Sequence, residues 1–107
     1  MKRGDVCWYE FAAPDKNRPV LVLTRNSAIR ALNNVTIAPI TSTIRSIPTE
    51  VILTEEDGMP QPCAVNFDNL QTVAKAKIKE RITHLPIRKM HEAEQAIAFA
   101  LGFDELE

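Results

Sequence analysis

Three groups of polar side chains border short apolar segments of the sequence, and their chemical types suit work on a phosphodiester. In chain order these side chains are Arg18, Thr41, Ser42, Thr43, Asp68 and Asn69. The arginine precedes an apolar segment, the hydroxyls follow a second one, and the acid with its neighbouring amide follows a third. A guanidinium can bind two oxygens of one phosphate, while hydroxyls and amides can bind phosphate oxygens or base edges. The set therefore predicts a site for a phosphodiester.

Arg18 is the candidate cation of this site. Cleavage of RNA without a metal requires help in deprotonating the 2′ hydroxyl, a proton for the leaving 5′ oxygen, and a cation that holds the charge of the phosphorane. Arg18 can supply that cation, and Pro19 fixes the backbone angle that follows it. The alternative is an ion pair between Arg18 and a surface carboxylate such as Asp15.

The other two groups also have a structural alternative. Hydroxyls at Thr41, Ser42 and Thr43 can hold a phosphate or a base at the end of a strand, but Ser and Thr are also common in turns. Asp68 and Asn69 offer an acceptor and an amide that can read the edges of unpaired bases. Their alternative is a pair that stabilises a turn through its own side chains.

The aromatic, histidine and cysteine side chains considered for the site are mostly interpreted as structural. Most of the aromatic residues are expected in the core, the two histidines are expected in structural or solvated positions, and the two cysteines are expected as buried free thiols. These residues are Trp8, Tyr9, Phe11, Phe67, His84, His91, Cys7 and Cys63. The sequence shows no metal-ligand spacing and no glycine-rich phosphate loop, so no cofactor or metal is expected.

The hydrophobic pattern predicts several short strands and one long C-terminal helix. The predicted strands are 5–11, 20–23, 35–40, 50–53, 63–67 and 77–83, with one or two helical turns at 26–32. Apolar residues then recur every three or four positions, with Pro86 at the first helical position and Gly102 just past the end. This pattern is typical of an α+β domain in which a small, strongly bent sheet or barrel carries a helix.

Size and charge narrow the classes of protein. The chain has 107 residues, of which 45% are hydrophobic, which suits a single domain over 1–107. No apolar run approaches the roughly 18 residues that cross a bilayer, so a cytoplasmic protein is expected. The net charge is −1, but basic residues concentrate in 1–45 and 74–91. These two segments can converge on one face and attract a polyanion, or they can simply be solvated.

Several segments together resemble the MazF/PemK toxin family. They are RGDVCWYEF, NRPVLVLTRN, the stretch from VTIAPITSTIR through PTEVILTEEDG to AVNFDNLQTV, KIKERITHLP, and the final helix with ALGF. Each motif alone is weak evidence for the family, but together they follow the family's order and cover nearly the whole chain.

The resemblance implies a small SH3-like β-barrel with a C-terminal helix packed on it, usually as a homodimer. It implies a sequence-specific, metal-independent endoribonuclease that cuts single-stranded RNA, mainly messenger RNA, to 2′,3′-cyclic phosphate and 5′-hydroxyl ends. A cognate antitoxin would neutralise it. The family's catalytic arginine and threonine fall on Arg18 and Thr41. Arg18 would stabilise the scissile phosphate, with a part in proton transfer left open, and Thr41 would position the phosphate and the 2′ hydroxyl.

Two departures from the family's pattern affect RNA binding. Gln71 stands where the family usually has an arginine, and the loop over 12–17 is short. Base selection would therefore rest on the acid–amide pair and on Ser42 and Thr43, with Lys16 attracting phosphate. The competing function is that of the related CcdB toxins, which bind DNA gyrase and cut nothing. A third possibility is a noncatalytic module that accepts an antitoxin peptide.

Overall fold

Seven strands and two α-helices make up the computed structural model, which describes residues 1–12, 16–103 and 105. In chain order they are β1 (Asp5–Glu10), β2 (Asn17–Val22), α1 (Asn26–Ile29), β3 (Asn34–Thr41), β4 (Glu50–Leu53), β5 (Cys63–Asn66), β6 (Gln71–Ala74), β7 (Ile78–His84) and α2 (Ile87–Ala100). Short 3-10 turns follow β4, β5 and β6. No helix of the described residues is long and apolar enough to cross a membrane.

The strands form one curled antiparallel sheet in the order β4-β5-β3-β2-β1-β7. Strand β3 is the longest, and two partners share one of its edges. Its first half pairs with β6, whereas its last two residues, Ile40 and Thr41, pair with β5. Because the edge divides between two partners, the sheet bends along β3 into a half-barrel. The antiparallel pairing of β2 with β3, with Val20 opposite Pro39, places the C-terminal end of β3 beside the N-terminal end of β2.

Two apolar clusters fill the two faces of the sheet. The cluster beneath the helix contains Leu21, Leu53 and Phe67, and α2 covers it with Met90, Ala93 and Ala96. The cluster on the other face includes Tyr9, Val20, Val22, Val35 and Ile37. Alternating residues of β2 enter different clusters, which explains why this strand is a continuous apolar run in the sequence.

The helix α2 ends at a glycine in the left-handed region. Gly102 has a φ of 72°, and the backbone N–H groups of Gly102 and Phe103 donate to the carbonyls of Phe99 and Ala98. This is a Schellman motif, in which glycine relieves the steric cost of positive φ. Pro86 was predicted as the first residue of α2, but it is the N-cap, and the helix begins one residue later at Ile87. No side chain caps this start.

The predicted α+β fold, a bent sheet that carries a C-terminal helix, is confirmed. The prediction missed β6, because only Val73 of its four residues is buried and the segment shows no extended alternation. It also placed the start of β2 at Val20, whereas the strand begins at Asn17. Arg18 therefore lies within a strand rather than before one.

Candidate active site

Four of the polar side chains predicted for the site line a cavity of about 510 Å³, which we call the Thr41 cavity. Strands β1, β2, β3 and β5 and the loop before β5 contribute to its walls. The lining residues are Trp8, Lys16, Asn17, Arg18, Pro19, Ile40, Thr41, Ser42, Met59, Pro60, Gln61 and Cys63. Four predicted site residues, Lys16, Arg18, Thr41 and Ser42, are thus brought together, whereas Thr43 and Asp68 are not among the lining residues.

Arg18 lies at the N-terminal end of β2, where it pairs with Tyr9 of β1. Its side chain is exposed, and within residues 1–12, 16–103 and 105 no carboxylate forms an ion pair with it. The alternative partner, Asp15, lies outside the described residues. Among the described side chains, no carboxylate therefore competes with an incoming phosphate for the guanidinium.

Thr41 is the last residue of β3, and the backbone that follows it fixes its hydroxyl. The hydroxyl oxygen accepts a hydrogen bond from the backbone N–H of Thr43 at 3.1 Å. The turn that was the structural alternative for these hydroxyls is therefore present. A hydroxyl that accepts one bond can still donate its own proton. The turn and a phosphate contact by Thr41 are thus compatible.

Lys16 enters β2 through an unusual backbone conformation. Its φ is 56°, and its carbonyl accepts the N–H of Phe11 at 2.9 Å. This bond closes the connection between β1 and β2, and it holds Lys16 at the rim where its exposed side chain lines the Thr41 cavity. The part of this short loop at 13–15 lies outside the described residues.

Asp68 and Asn69 lie in the 3-10 turn after β5 and have different environments. The carboxylate of Asp68 accepts the hydroxyl of buried Thr49 at 2.7 Å, and its N–H donates to the side chain of Asn66 at 2.9 Å. The turn-stabilising alternative thus describes the bonds of Asp68. Asn69 instead lines a smaller cavity of about 300 Å³, which we call the Asn69 cavity.

The Asn69 cavity adjoins the Thr41 cavity through a shared arginine. Its lining residues are Phe11, Arg18, Pro39, Asn69 and Gln71. Among the residues that the structure describes, Arg18 alone belongs to the lining of both cavities. A phosphate bound by Arg18 would therefore adjoin both cavities.

Burial decides the roles of the aromatic residues. Two of the four aromatic residues considered for the site, Tyr9 and Phe67, are buried, so the core interpretation holds for these two. Trp8 is only half-buried and lines the Thr41 cavity, and Phe11 is half-buried at the Asn69 cavity. The core interpretation therefore fails for Trp8.

The histidines and cysteines take the structural positions that were predicted. The Nδ1 atom of His84 lies 2.8 Å from the carboxylate of buried Asp5, and His91 is exposed on α2. Both cysteines are free and buried. Burial, and then the charge of Asp57, raises the pKa of the Cys63 thiol at the wall of the Thr41 cavity. This thiol therefore stays protonated at neutral pH and is a poor nucleophile.

Metal ligands do not converge in the described part of the chain. No group of three or more His, Cys, Asp or Glu side chains there could hold a metal ion. The polar groups that line the Thr41 cavity are cationic or neutral, which is a composition suited to an anion.

Eight of the twelve lining residues were not predicted from the sequence as site residues, among them Asn17, Met59 and Gln61. Gln61 and Met59 come from the loop before β5, and Asn17 precedes Arg18 in β2. The loop follows the turn at Asp57 and Gly58, and only the curl of the sheet brings it opposite β2. No local pattern carries that signal. For Asn17, the signal was its place beside the candidate arginine.

Residues 2–101 match the family model described as PemK-like, MazF-like toxin of type II toxin-antitoxin system. Among similar proteins, the chain is 38% identical over 103 residues to a probable endoribonuclease MazF2 of Mycobacterium tuberculosis, and the alignment covers 95% of this chain and 99% of that protein.

Solved structures agree with this match. The M. tuberculosis toxin MazF-mt6 superposes with a TM-score of 0.84 at 36% identity, covering 92% of this chain and 96% of that one. A mycobacterial endoribonuclease in complex with its cognate antitoxin gives a TM-score of 0.84 at 27% identity, with 95% of each chain covered.

Proposed function

Since the chain belongs to the PemK-like, MazF-like toxins of type II toxin-antitoxin systems, we propose that it is an endoribonuclease that cuts single-stranded RNA at specific sequences. The observation that carries this proposal is the Thr41 cavity, where the guanidinium of Arg18 and the hydroxyl of Thr41 line one space. A bidentate cation and a hydroxyl donor are suited to a phosphate whose negative charge grows during the reaction.

The proposed reaction uses the RNA's own 2′ hydroxyl and needs no metal. The 2′ hydroxyl releases its proton to solvent as its oxygen bonds to the adjacent phosphorus, the bond from phosphorus to the 5′ oxygen breaks, and the 5′ oxygen takes up a proton from solvent, so no net proton is gained or lost. The products are a 2′,3′-cyclic phosphate and a 5′ hydroxyl. The part of the Arg18 guanidinium is to stabilise the charge of the phosphorane. Thr41 donates a hydrogen bond from its hydroxyl to a phosphate oxygen and orients the 2′ hydroxyl.

RNA binding is proposed for the polar residues around Arg18 and Thr41. Lys16 and Ser42 line the Thr41 cavity and would contact the backbone of the RNA. Asn69 lines the adjoining cavity. For Asp68, the bond to Thr49 makes a supporting role for the neighbouring turn more consistent with its surroundings than a direct base contact. Thr43 would contribute through the N–H that holds Thr41.

A cognate antitoxin and a second copy of the chain are the proposed protein partners. The similar mycobacterial endoribonuclease was solved with its cognate antitoxin. In this chain, Phe99, Leu101 and Phe103 are exposed at the C-terminal end of α2 by 51%, 53% and 71%. Neighbouring exposed apolar side chains of this size mark surfaces that bind proteins. We therefore propose that the toxin acts as a cytoplasmic homodimer until an antitoxin neutralises it.

The test is cleavage of a long, weakly structured RNA in EDTA by the wild type and by Arg18→Ala and Thr41→Ala. We expect discrete cuts with cyclic-phosphate ends from the wild type and a loss of cutting in both variants. Arg30→Ala is the matched control, because Arg30 is also exposed but lines a different cavity. Circular dichroism and thermal melting check that the variants are folded.

The proposal fails if the wild type leaves varied RNAs intact, or if it cuts them only when a divalent metal is restored. The first of these results would favour a noncatalytic role, such as binding to DNA gyrase or to an antitoxin peptide. Cleavage that survives in Arg18→Ala would remove this residue from the mechanism.

A further inference from the structure

The Asn69 cavity is placed to receive the nucleotide next to the bond that is cut. Arg18 lines both this cavity of about 300 Å³ and the Thr41 cavity. If Arg18 binds the scissile phosphate, the two nucleotides that the phosphate joins extend from it in different directions. With one of them in the Thr41 cavity, the other can enter the Asn69 cavity, because Arg18 belongs to the lining of both.

The apolar part of the Asn69 cavity offers a surface for stacking. Phe11 and Pro39 supply it, and both are half-buried. The ring of Phe11 meets the ring of buried Tyr9 in an edge arrangement, with centroids 4.6 Å apart and planes at 69°. This contact holds the Phe11 ring in place. Aromatic rings stack on any base, so this wall can hold a base without selecting it.

The polar part of the cavity consists of two carboxamides beside Arg18. Asn69 ends a turn that is held by the bonds of Asp68 to Thr49 and to Asn66, and Gln71 begins β6. Within the described residues, the carboxamides of Asn69 and Gln71 form no side-chain hydrogen bond. A carboxamide carries donors and an acceptor, so it can pair with the edge of an unpaired base.

We propose that the Asn69 cavity binds one unpaired nucleobase beside the cut and that Gln71 determines which base is accepted. This inference rests on the proposed ribonuclease function. Gln71 is neutral, so its contribution is directional hydrogen bonding rather than attraction to phosphate. Base choice follows because a wrong base leaves donors or acceptors of the cavity unpaired, which costs more than the loss of an apolar contact.

The experiment compares cleavage rates on RNAs that differ in one base at each position flanking the cut. For the wild type, kcat/KM is expected to differ among the four bases by tenfold or more at one of these positions. Gln71→Leu removes the hydrogen-bonding groups at similar size, and we expect it to reduce that difference severalfold while other positions keep their preferences. Thr72→Val is the matched control, because Thr72 follows in the same strand but lines a different cavity.

Two results would overturn the proposal. One is an unchanged base preference in Gln71→Leu, and the other is a loss of rate that is equal for all RNAs. If Gln71→Leu does not fold, Gln71→Glu replaces it, and an unchanged base preference in that variant has the same meaning. A wild type that cuts no RNA would instead contradict the ribonuclease function itself, so the two failures are distinguishable.

Discussion

Thr41 joins the local structure of a turn to the proposed reaction. Its hydroxyl oxygen accepts the N–H of Thr43 at 3.1 Å, and this bond holds the oxygen in place while the O–H group stays available to donate. Because the oxygen is already held in the folded protein, little reorganisation is needed when charge develops on the phosphate. The same side chain therefore serves the backbone as an acceptor and the substrate as a donor.

Two variants separate these roles of Thr41. Thr41→Val keeps the shape of the side chain but removes the hydroxyl, and we expect kcat/KM to fall by about 10²–10³, the usual loss for one oriented donor. Thr41→Ser keeps the hydroxyl and is expected to retain most of the activity. Single-turnover cleavage at saturating enzyme measures the effect on the chemical step. Similar rates for wild type and Thr41→Val would show that the hydroxyl does not act in the reaction.

Non-local contacts limited the residue-level prediction of the site. That Arg18 and Thr41 line one cavity was predictable, because both flank apolar segments that the pattern marks clearly, while their catalytic roles stay a prediction. The environment of Asp68 was not predictable, since its carboxylate bonds to Thr49, a residue that the sequence places nineteen positions earlier in a different segment. The place of Trp8 was equally hidden, because a half-open cavity at one end of a strand leaves no signal in the alternation of that strand.

At the scale of elements, the division of β3 between two partners creates the site. The end of β3 pairs with β5, while its beginning pairs with β6. The sequence predicted β3, β4, β5 and α2 with nearly correct bounds, because each has an apolar pattern of its own. It did not predict β6, whose pairing depends on a neighbour rather than on its own pattern. The curl of the sheet could therefore be expected only in general terms.

The turn between β4 and β5 gives a prediction about these elements. Gly58 has a φ of 94°, and an added Cβ would clash with Thr83 of β7. The left-handed conformation costs a non-glycine residue about 1–2 kcal/mol, and overpacking typically costs about 1–3 kcal/mol. We expect Gly58→Ala to lower the free energy of unfolding by about 2–5 kcal/mol in urea denaturation.

A matched control separates the two causes of this loss. Gly102 also has a positive φ, but an added Cβ would meet only the carboxylate of Glu105 at 3.4 Å. Gly102→Ala should therefore show the conformational cost alone and lose less stability than Gly58→Ala. An equal loss in both variants would mean that the contact with Thr83 contributes nothing.

At the scale of the whole molecule, the distribution of charge matters more than its sum. The net charge is −1, which gives no general attraction to RNA. Lys16 and Arg18 nevertheless line the Thr41 cavity, and no acidic residue belongs to its described lining. RNA is therefore expected to bind through a small local set of cations, and its affinity should depend only moderately on salt.

The salt dependence of RNA binding can be measured with the Thr41→Val variant, because this variant is expected to cut the bound RNA only slowly. For single strands, each phosphate neutralised contributes about −0.7 to the slope of log affinity against log salt concentration. Adding Lys16→Gln should make the slope shallower by about 0.7, because one phosphate contact is lost. Adding Arg30→Gln should leave the slope unchanged, since Arg30 lines another cavity. If both substitutions change the slope equally, RNA is held by the charge of the whole surface and not by the cations of the Thr41 cavity.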